Sequence, residues 1–218
     1  MKRDMLAEVA QVKLVTVSER MSETLDGRTA ALVRLIERAT SGETAAFEQL
    51  MVYSQHKVAA TAWRLLGNTE DARDATQEVY LRVYKHLKQF KPEQDFFAWL
   101  YRITVNVCHD IARKRKPQSV ELTSLEVERE AGTLEQLARP EETEQATLLA
   151  ERRAMIARAI ETLPDKERAA IILRDIEGFS TEEVAQIMGS RPVTVRSQIS
   201  SARGKIKLYC DRLLKGTR

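Results

Sequence analysis

Residues that break regular structure are scarce in this chain: 218 residues hold only 8 Gly and 5 Pro, and aromatic side chains make up 6%. A many-stranded sheet needs frequent turn residues and an aromatic supply, so an all-β architecture is excluded. Cysteine is rarer still. Cys108 and Cys210 are too few for a disulfide framework and lack metal-ligand spacing. Cys108 and His109 are neighbours that point to different faces of a helix, so reduced thiols are expected rather than a metal site. No apolar run approaches the ~20 residues that cross a bilayer. The basic start Met1-Lys2-Arg3 is followed by Asp4 and Glu8, and the apolar run from Val12 to Val17 is short and interrupted. That is not the pattern of a signal peptide, and a cytoplasmic location is expected. No nucleophile–base or carboxylate–His cluster is visible, so no catalytic residue, metal or cofactor is expected.

What the chain does have is helix-forming material. Apolar residues make up 43% and charged ones 31%, in long stretches rich in Ala, Glu, Arg and Leu. The expected fold class is all-α: two small helical domains joined by an acidic linker. The formal net charge of +3 decides nothing about partners, but its distribution divides the chain into four zones. Residues 1–26 are a mixed extension without a clear period. Residues 27–116 form a helical block broken at Ser41-Gly42, Gly67-Asn68 and Lys91-Pro92. In residues 117–145, Glu121, Glu126, Glu128, Glu130, Glu135, Glu141, Glu142 and Glu144 face only Arg129 and Arg139, which reads as a linker. Residues 146–218 are a second helical block. No internal repeat is visible.

The second block carries the sharpest local signal. Leu163-Pro164 closes one helix and opens the next. That next helix sets Ala169, Ile172, Leu173 and Ile176 on one side and stops at Gly178. Ser180-Thr181-Glu182-Glu183 is a capping box: the Ser180 hydroxyl accepts from the Glu183 amide, and Glu183 reaches back. A short helix follows, with Val184, Ile187 and Met188 inward and Ala185 small where another helix crosses. Gly189 falls where a turn needs positive φ. Pro192 then opens a helix with Val195 and Ile199 on its core side. These are the packing needs of a helix-turn-helix, whose second helix enters the major groove of DNA. Its outward candidates are Arg191, Thr194, Arg196, Ser197, Gln198 and Arg203. Arg and Gln make the bidentate contacts that discriminate bases, while Ser and Thr suit phosphates. Lys205, Lys207, Arg212, Lys215 and Arg218 follow against one acid, Asp211, a balance suited to phosphate.

The first block carries two charged helices. From Asn68 to about Phe90, Ala72, Thr76, Val79, Val83 and Leu87 form an inward stripe. Asp71, Asp74 and Glu78, with Gln77 beside them, line another face near the N-terminus. They either complement the helix dipole or offer a docking surface to a basic helix. After a polar loop from Lys88 to Asp95, a helix opens with Phe96-Phe97-Ala98-Trp99-Leu100-Tyr101 and runs to Lys116. Phe97, Leu100, Thr104, Val107, Cys108 and Ile111 are its inward positions. Arg102, Asn106, His109 and Arg113 follow at steps of four, three and four, so they share a face. A basic face behind an aromatic-rich loop suits single-stranded or melting DNA, although the aromatics fit a core equally well.

Together these pieces resemble the extracytoplasmic-function (group IV) RNA polymerase sigma factors of the sigma-70 family. The resemblance rests on Gly42 to Leu50, on Asn68 to Tyr80, on Phe96 to Ile103 with Asn106 and Asp110, and on Leu163-Pro164, Glu177 to Ser180, Glu182 to Ala185 and Thr194 to Ser197. It implies a promoter-reading subunit whose Asp71, Asp74, Gln77 and Glu78 dock on the polymerase clamp. It implies a −10 reader made of Lys88, Lys91, Arg102, Asn106, His109 and Arg113, and a −35 reader made of the helix from Arg191 to Lys205. It further implies core RNA polymerase (clamp and flap), promoter DNA and an anti-sigma factor as partners. The chain departs from the family pattern where Arg191-Pro192-Val193 replace the usual Pro-Val-Gly, and where Gln198 and Ser201 occupy common Arg positions. Two other readings stand beside it: a sigma mimic that sequesters an anti-sigma factor, and a helix-turn-helix repressor with a helical sensor domain.

The linker can be tested for reach. Roughly 28 residues extend to at most ~90 Å, against ~30 Å for a relaxed coil. Two groove sites two turns apart lie ~70 Å from each other, so the linker spans them only when drawn out.

Overall fold

The structure is a computed structural model that describes residues 30–91, 94–115 and 144–216. The N-terminal extension and the body of the acidic linker lie outside the described residues. Every regular element among the described residues is helical, as the scarcity of Gly and Pro requires.

The chain divides into two compact units. The smaller holds residues up to Tyr53 together with Leu87–Phe90. Its first helix, α1, spans residues 30–40. The turn after it is closed by backbone bonds from Ser41 to Glu37 and from Glu43 to Arg38, and by an Arg38–Glu43 ion pair. The N-terminal part of α2 (Thr44–Leu66) follows. Ile36, Ala39, Ala46, Leu50, Leu87 and Phe90 are the buried apolar side chains of this unit.

The larger unit takes in the rest of α2, helix α3 (Thr69–His86), helix α4 (Phe96–Arg115) and the C-terminal helices. Two caps start α3 and α4. Asn68 Oδ1 accepts from the Asp71 amide at 2.8 Å, and Asp95 Oδ1 accepts from the Ala98 amide at 2.6 Å. The dipole of each is complemented at its end, by Lys85 and His86 in α3 and by Arg113, Lys114 and Arg115 in α4. α3 packs along α4, burying Ala72, Ala75, Val79 and Val83 on one side and Leu100, Thr104 and Val107 on the other. Full burial of a side chain such as Leu100 stabilises the fold by roughly 1.5–3 kcal/mol. The Tyr80 hydroxyl lies 2.8 Å from that of Ser54, and burial pushes its pKa up to about 12.

The C-terminal helices are α5 (Glu144–Glu161), α6 (Asp165–Ile171), α7 (Thr181–Ile187) and α8 (Pro192–Gly216). The second helical block therefore starts two residues earlier than the sequence reading set it. α8 packs on α5, α6 and α7, and α7 also packs on α4. Val195, Ile199 and Ala202 are the buried stripe of α8, facing a core of Leu163, Ala169, Ile172, Leu173, Val184 and Ile187.

One element departs from expectation. After α6 the backbone widens into a π-helical turn, Ile172–Ile176, with the Glu177 amide bonded to the Ile172 carbonyl at 2.9 Å. The wider turn breaks the 3.6-residue period. Ile176, expected inward with Ala169, Ile172 and Leu173, is instead 42% exposed. Gly178 then takes φ 83° and lets the Phe179 amide close on the Leu173 carbonyl at 3.1 Å, a left-handed helix stop.

Candidate nucleic-acid interface

The helix-turn-helix is built by local chemistry. At the start of α7 the Ser180 hydroxyl accepts from the Glu183 amide at 3.2 Å and the Glu183 carboxylate accepts from the Ser180 amide at 2.7 Å. These bonds hold the Glu183 carboxyl below its ordinary range. The turn is closed by Ser190 donating to the Ala185 carbonyl at 2.8 Å, with Gly189 at φ 59°. α8 starts at Pro192, whose missing N–H falls where no helical bond is due.

Arg191, just ahead of α8, and Thr194, Arg196, Ser197 and Arg203 along it are exposed. Two of them lean on acids of neighbouring segments: Arg196 donates to Glu182 at 2.9 Å, and Arg203 forks onto Asp175 at 3.0 and 2.7 Å. On another flank Ser201 and Lys205 both reach Glu167. Gln198 differs from the other outward candidates in its burial. It sits between the buried stripe and the Glu167 flank, half-buried, with its Oε1 buried and unpartnered, and it lines a cleft with Pro164, Asp165, Lys166 and Glu167. The amide turns toward α6 because its position falls just off Val195 and Ile199. Val193 was missed. It is 65% exposed at the tip of α8, where an apolar side chain can meet a thymine methyl. Its place two residues before the buried Val195 put it on the opposite face.

On α4, Arg102, Asn106 and Arg113 are exposed on one face and His109 is half-buried at its edge. Lys91 is exposed, and so, in the smaller unit, is Lys88. Phe96 is buried and stacks edge-on against Phe97 at 5.7 Å between centroids, while Trp99 lies 5.9 Å from it. Phe97 and Trp99 are half-buried, and Lys57 Nζ sits 5.1 Å from the Phe97 centroid. These aromatics are shared between core and surface. Cys108 is a free, buried thiol whose pKa burial pushes up to about 12, and Cys210 is free and half-buried.

The acidic face of α3 splits in two. Asp71 is engaged by Asn68 at 2.7 Å and by Arg115 at 3.2 Å. Glu78 is engaged by Arg82 at 2.7 Å, and Arg82 also reaches Asp110 at 3.3 Å. Asp74 and Gln77 are exposed. One and two turns further on, Leu81 and Tyr84 are 55% and 58% exposed. Steps of four and three from Gln77 put them on its face. The inward-stripe reading did not single them out, since an apolar residue off the stripe carries no signal of its own.

Described residues that fold as helices, with a basic helix-turn-helix late in the chain and an acid-faced helix beside a basic one early in it, point to the class of DNA-reading regulators. The Sigma-70 region 2 family matches residues 50–118 and the Sigma-70, region 4 family matches residues 153–206. The chain is 38% identical over 185 residues to the ECF RNA polymerase sigma-E factor of Escherichia coli (strain K12), covering 83% of this chain and 95% of that protein. To the RNA polymerase sigma-H factor of Pseudomonas aeruginosa it is 34% identical over 184 residues, covering 84% and 95%. It is similar to the structure of CnrH in complex with the cytosolic domain of CnrY, at TM-score 0.58 and 26% identity over 83% of this chain and 97% of that one. The sigma factor RpoE of Bartonella quintana, solved with the anti-sigma factor NepR, shares the fold at TM-score 0.58 and 22% identity, over 76% and 96%. The chain belongs to the sigma-70 family, as an extracytoplasmic-function sigma factor of bacterial RNA polymerase. Sigma factors direct transcription initiation as DNA-binding regulators. Among the described residues no helix is long and apolar enough to cross a membrane.

Proposed function

We propose that this sigma factor docks on core RNA polymerase through α3 and reads promoter DNA through α4 and α8. The docking face is centred on Asp74 and Gln77, flanked by Asp71 and Glu78, with Leu81 and Tyr84 supplying its apolar part. The −10 element is met by Arg102, Asn106, His109 and Arg113, with Lys88 and Lys91 from the segment before α4. The −35 element is read by Arg191, just ahead of α8, and by Thr194, Arg196, Ser197 and Arg203 along it. Residues 27–116 and the helices from Glu144 onward form the two functional domains, and residues 117–143 the tether between them. The protein works in the cytoplasm. Because the CnrH and RpoE structures hold these proteins with partner chains, one of them an anti-sigma factor, an anti-sigma factor is the proposed inhibitor here.

The observation that carries this reading is the split of α3. Asp71 and Glu78 are satisfied within the chain, whereas Asp74 and Gln77 stand exposed beside an apolar pair. Helix-dipole chemistry accounts for acids in the first turn but not for this exposed mixed patch. Pull-down of purified core polymerase by the tagged full chain tests it, with an Asp74→Arg, Leu81→Ala variant as the comparison. Loss of capture at unchanged helix content supports the assignment. Undiminished capture removes it.

A further inference from the structure

The carboxylate of Glu177 meets three side chains, and among the described residues none of them comes from its own helical block. It accepts from the Tyr101 hydroxyl at 2.5 Å and the Thr61 hydroxyl at 2.8 Å, and it pairs with Arg64 at 3.4 Å. Three of the four are sheltered and Arg64 is partly exposed: Thr61 is fully buried, Tyr101 is 2% exposed, and the Glu177 and Arg64 side chains are 12% and 33% exposed. Burial and the acceptor beneath it raise the Tyr101 pKa far above the ordinary tyrosine range, so the hydroxyl stays a donor. The Tyr101 ring also packs edge-on against Phe179 at 5.1 Å between centroids. A second tie runs beside the first. Arg168 Nη1 donates to the Leu65 carbonyl, at the end of α2, at 2.9 Å, while its Nη2 holds the Glu161 and Leu163 carbonyls.

The local backbone presents Glu177 for this purpose. The π turn and the left-handed Gly178 set it at the corner between α6 and α7, and Arg174 donates to the Phe179 carbonyl at 2.9 Å to hold that corner. The bonds tie residues 76 to 116 apart in sequence, across the linker. They join the −10 face on α4 to the helix-turn-helix that reads −35.

The two promoter elements are separated by about two turns of DNA, ~70 Å. In the closed chain their readers are far nearer. Arg102 follows Tyr101, which touches Glu177, and Arg196 touches Glu182, five residues further along. Five residues of chain reach at most ~18 Å, and two side-chain contacts do not supply the remainder. The reading residues are exposed yet cannot reach both elements together.

We propose that Glu177 is a latch that holds the free sigma factor closed, and that it is released when the chain engages polymerase and promoter. The functional part rests on the reading of α4 and α8 given above, whereas closure itself does not. Small-angle scattering of the full-length free protein tests closure, with Glu177→Lys as the opening variant and circular dichroism as the control for helix content. A closed chain of this length has a radius of gyration near ~17 Å, and release on a relaxed linker takes it toward ~21 Å or more. The expected result is a compact wild type and an expanded Glu177→Lys at equal helix content. Equal radii for the two overturn the latch. Should Glu177→Lys lose helix content, Tyr101→Phe combined with Thr61→Ala removes two donors without a new charge, and a radius unchanged from wild type overturns it equally. Run-off transcription separates the two claims. A variant that opens but does not initiate defeats the promoter reading and leaves the latch. One that initiates without ever opening defeats the latch alone.

Discussion

Arg203 and Asp175 form a two-pronged ion pair, 3.0 and 2.7 Å, between the helix offered to DNA and the π turn before the helix-turn-helix. Arg196 stands likewise against Glu182 at 2.9 Å. Both pairs are exposed, so each contributes little to stability. Their effect is on geometry, because they hold long side chains on one flank of α8 before DNA arrives.

Replacing one of these arginines should therefore cost recognition and not folding. Arg196→Ala should lose ~1–3 kcal/mol at the −35 element and relax the preference at one base position. Holoenzyme binding to a set of −35 single-base variants measures this. An unchanged preference removes Arg196 from the reading face. Gln198→Ala should leave that preference as it is, since its amide oxygen is buried toward α6.

Asp74 and Asp71 should behave differently although they lie three residues apart. Asp74→Arg places a cation where a basic partner helix is expected, and like charges in contact weaken binding by on the order of tenfold or more. Its melting temperature should not move, because the residue is exposed. Asp71→Ala should lower the melting temperature, since it removes both the Asn68 and the Arg115 contacts. Calorimetry of core binding and thermal melts of both variants give the comparison.

The capping box should make part of the stability depend on pH. The Glu183 carboxyl is held below its ordinary value by the Ser180 bonds, so it is the ionised form that stabilises the fold. That contribution is complete above the unfolded value of ~4.3 and is lost as pH falls through the lower folded value. Wild type should thus melt above Glu183→Gln at neutral pH, and the gap should close in acid. Ser180→Ala should cost ~1 kcal/mol at neutral pH. A gap that widens in acid contradicts the assignment.

Leu100 is fully buried where α4 packs on α3. Leu100→Ala should destabilise the chain by ~2–5 kcal/mol, the range for a cavity in a close-packed core. Chemical denaturation reads it directly, and a loss under ~1 kcal/mol would mean the site collapses around the smaller side chain.

Legibility in the sequence follows the range of the interaction. The Ser180–Glu183 box, the stops at Gly178 and Gly189, and the stripe of Val79, Val83 and Leu87 are written within a few residues, and the structure places them as read. Asn68 and Asp95 are equally local caps, passed over because no Glu or Gln completes a box three residues later. The outward turn of Ile176 needed the π turn, which no residue pattern announces. Tyr101 had to be buried by a partner 76 positions away, and the exposure of Leu81 and Tyr84 depends on what does not cover them. The exposure of the outward candidates follows from their spacing along a single helix face, whereas the half-burial of Gln198 follows from its place at the border of the buried stripe.

The most direct test of the central claim is run-off transcription by core RNA polymerase with the purified full chain, on a genomic promoter library, with start sites mapped. The account predicts initiation from a defined set of promoters that share −10 and −35 sequences, absent with core alone and lost with Asp74→Arg. Core that gains no new start sites when the folded, inhibitor-free protein is added would contradict it.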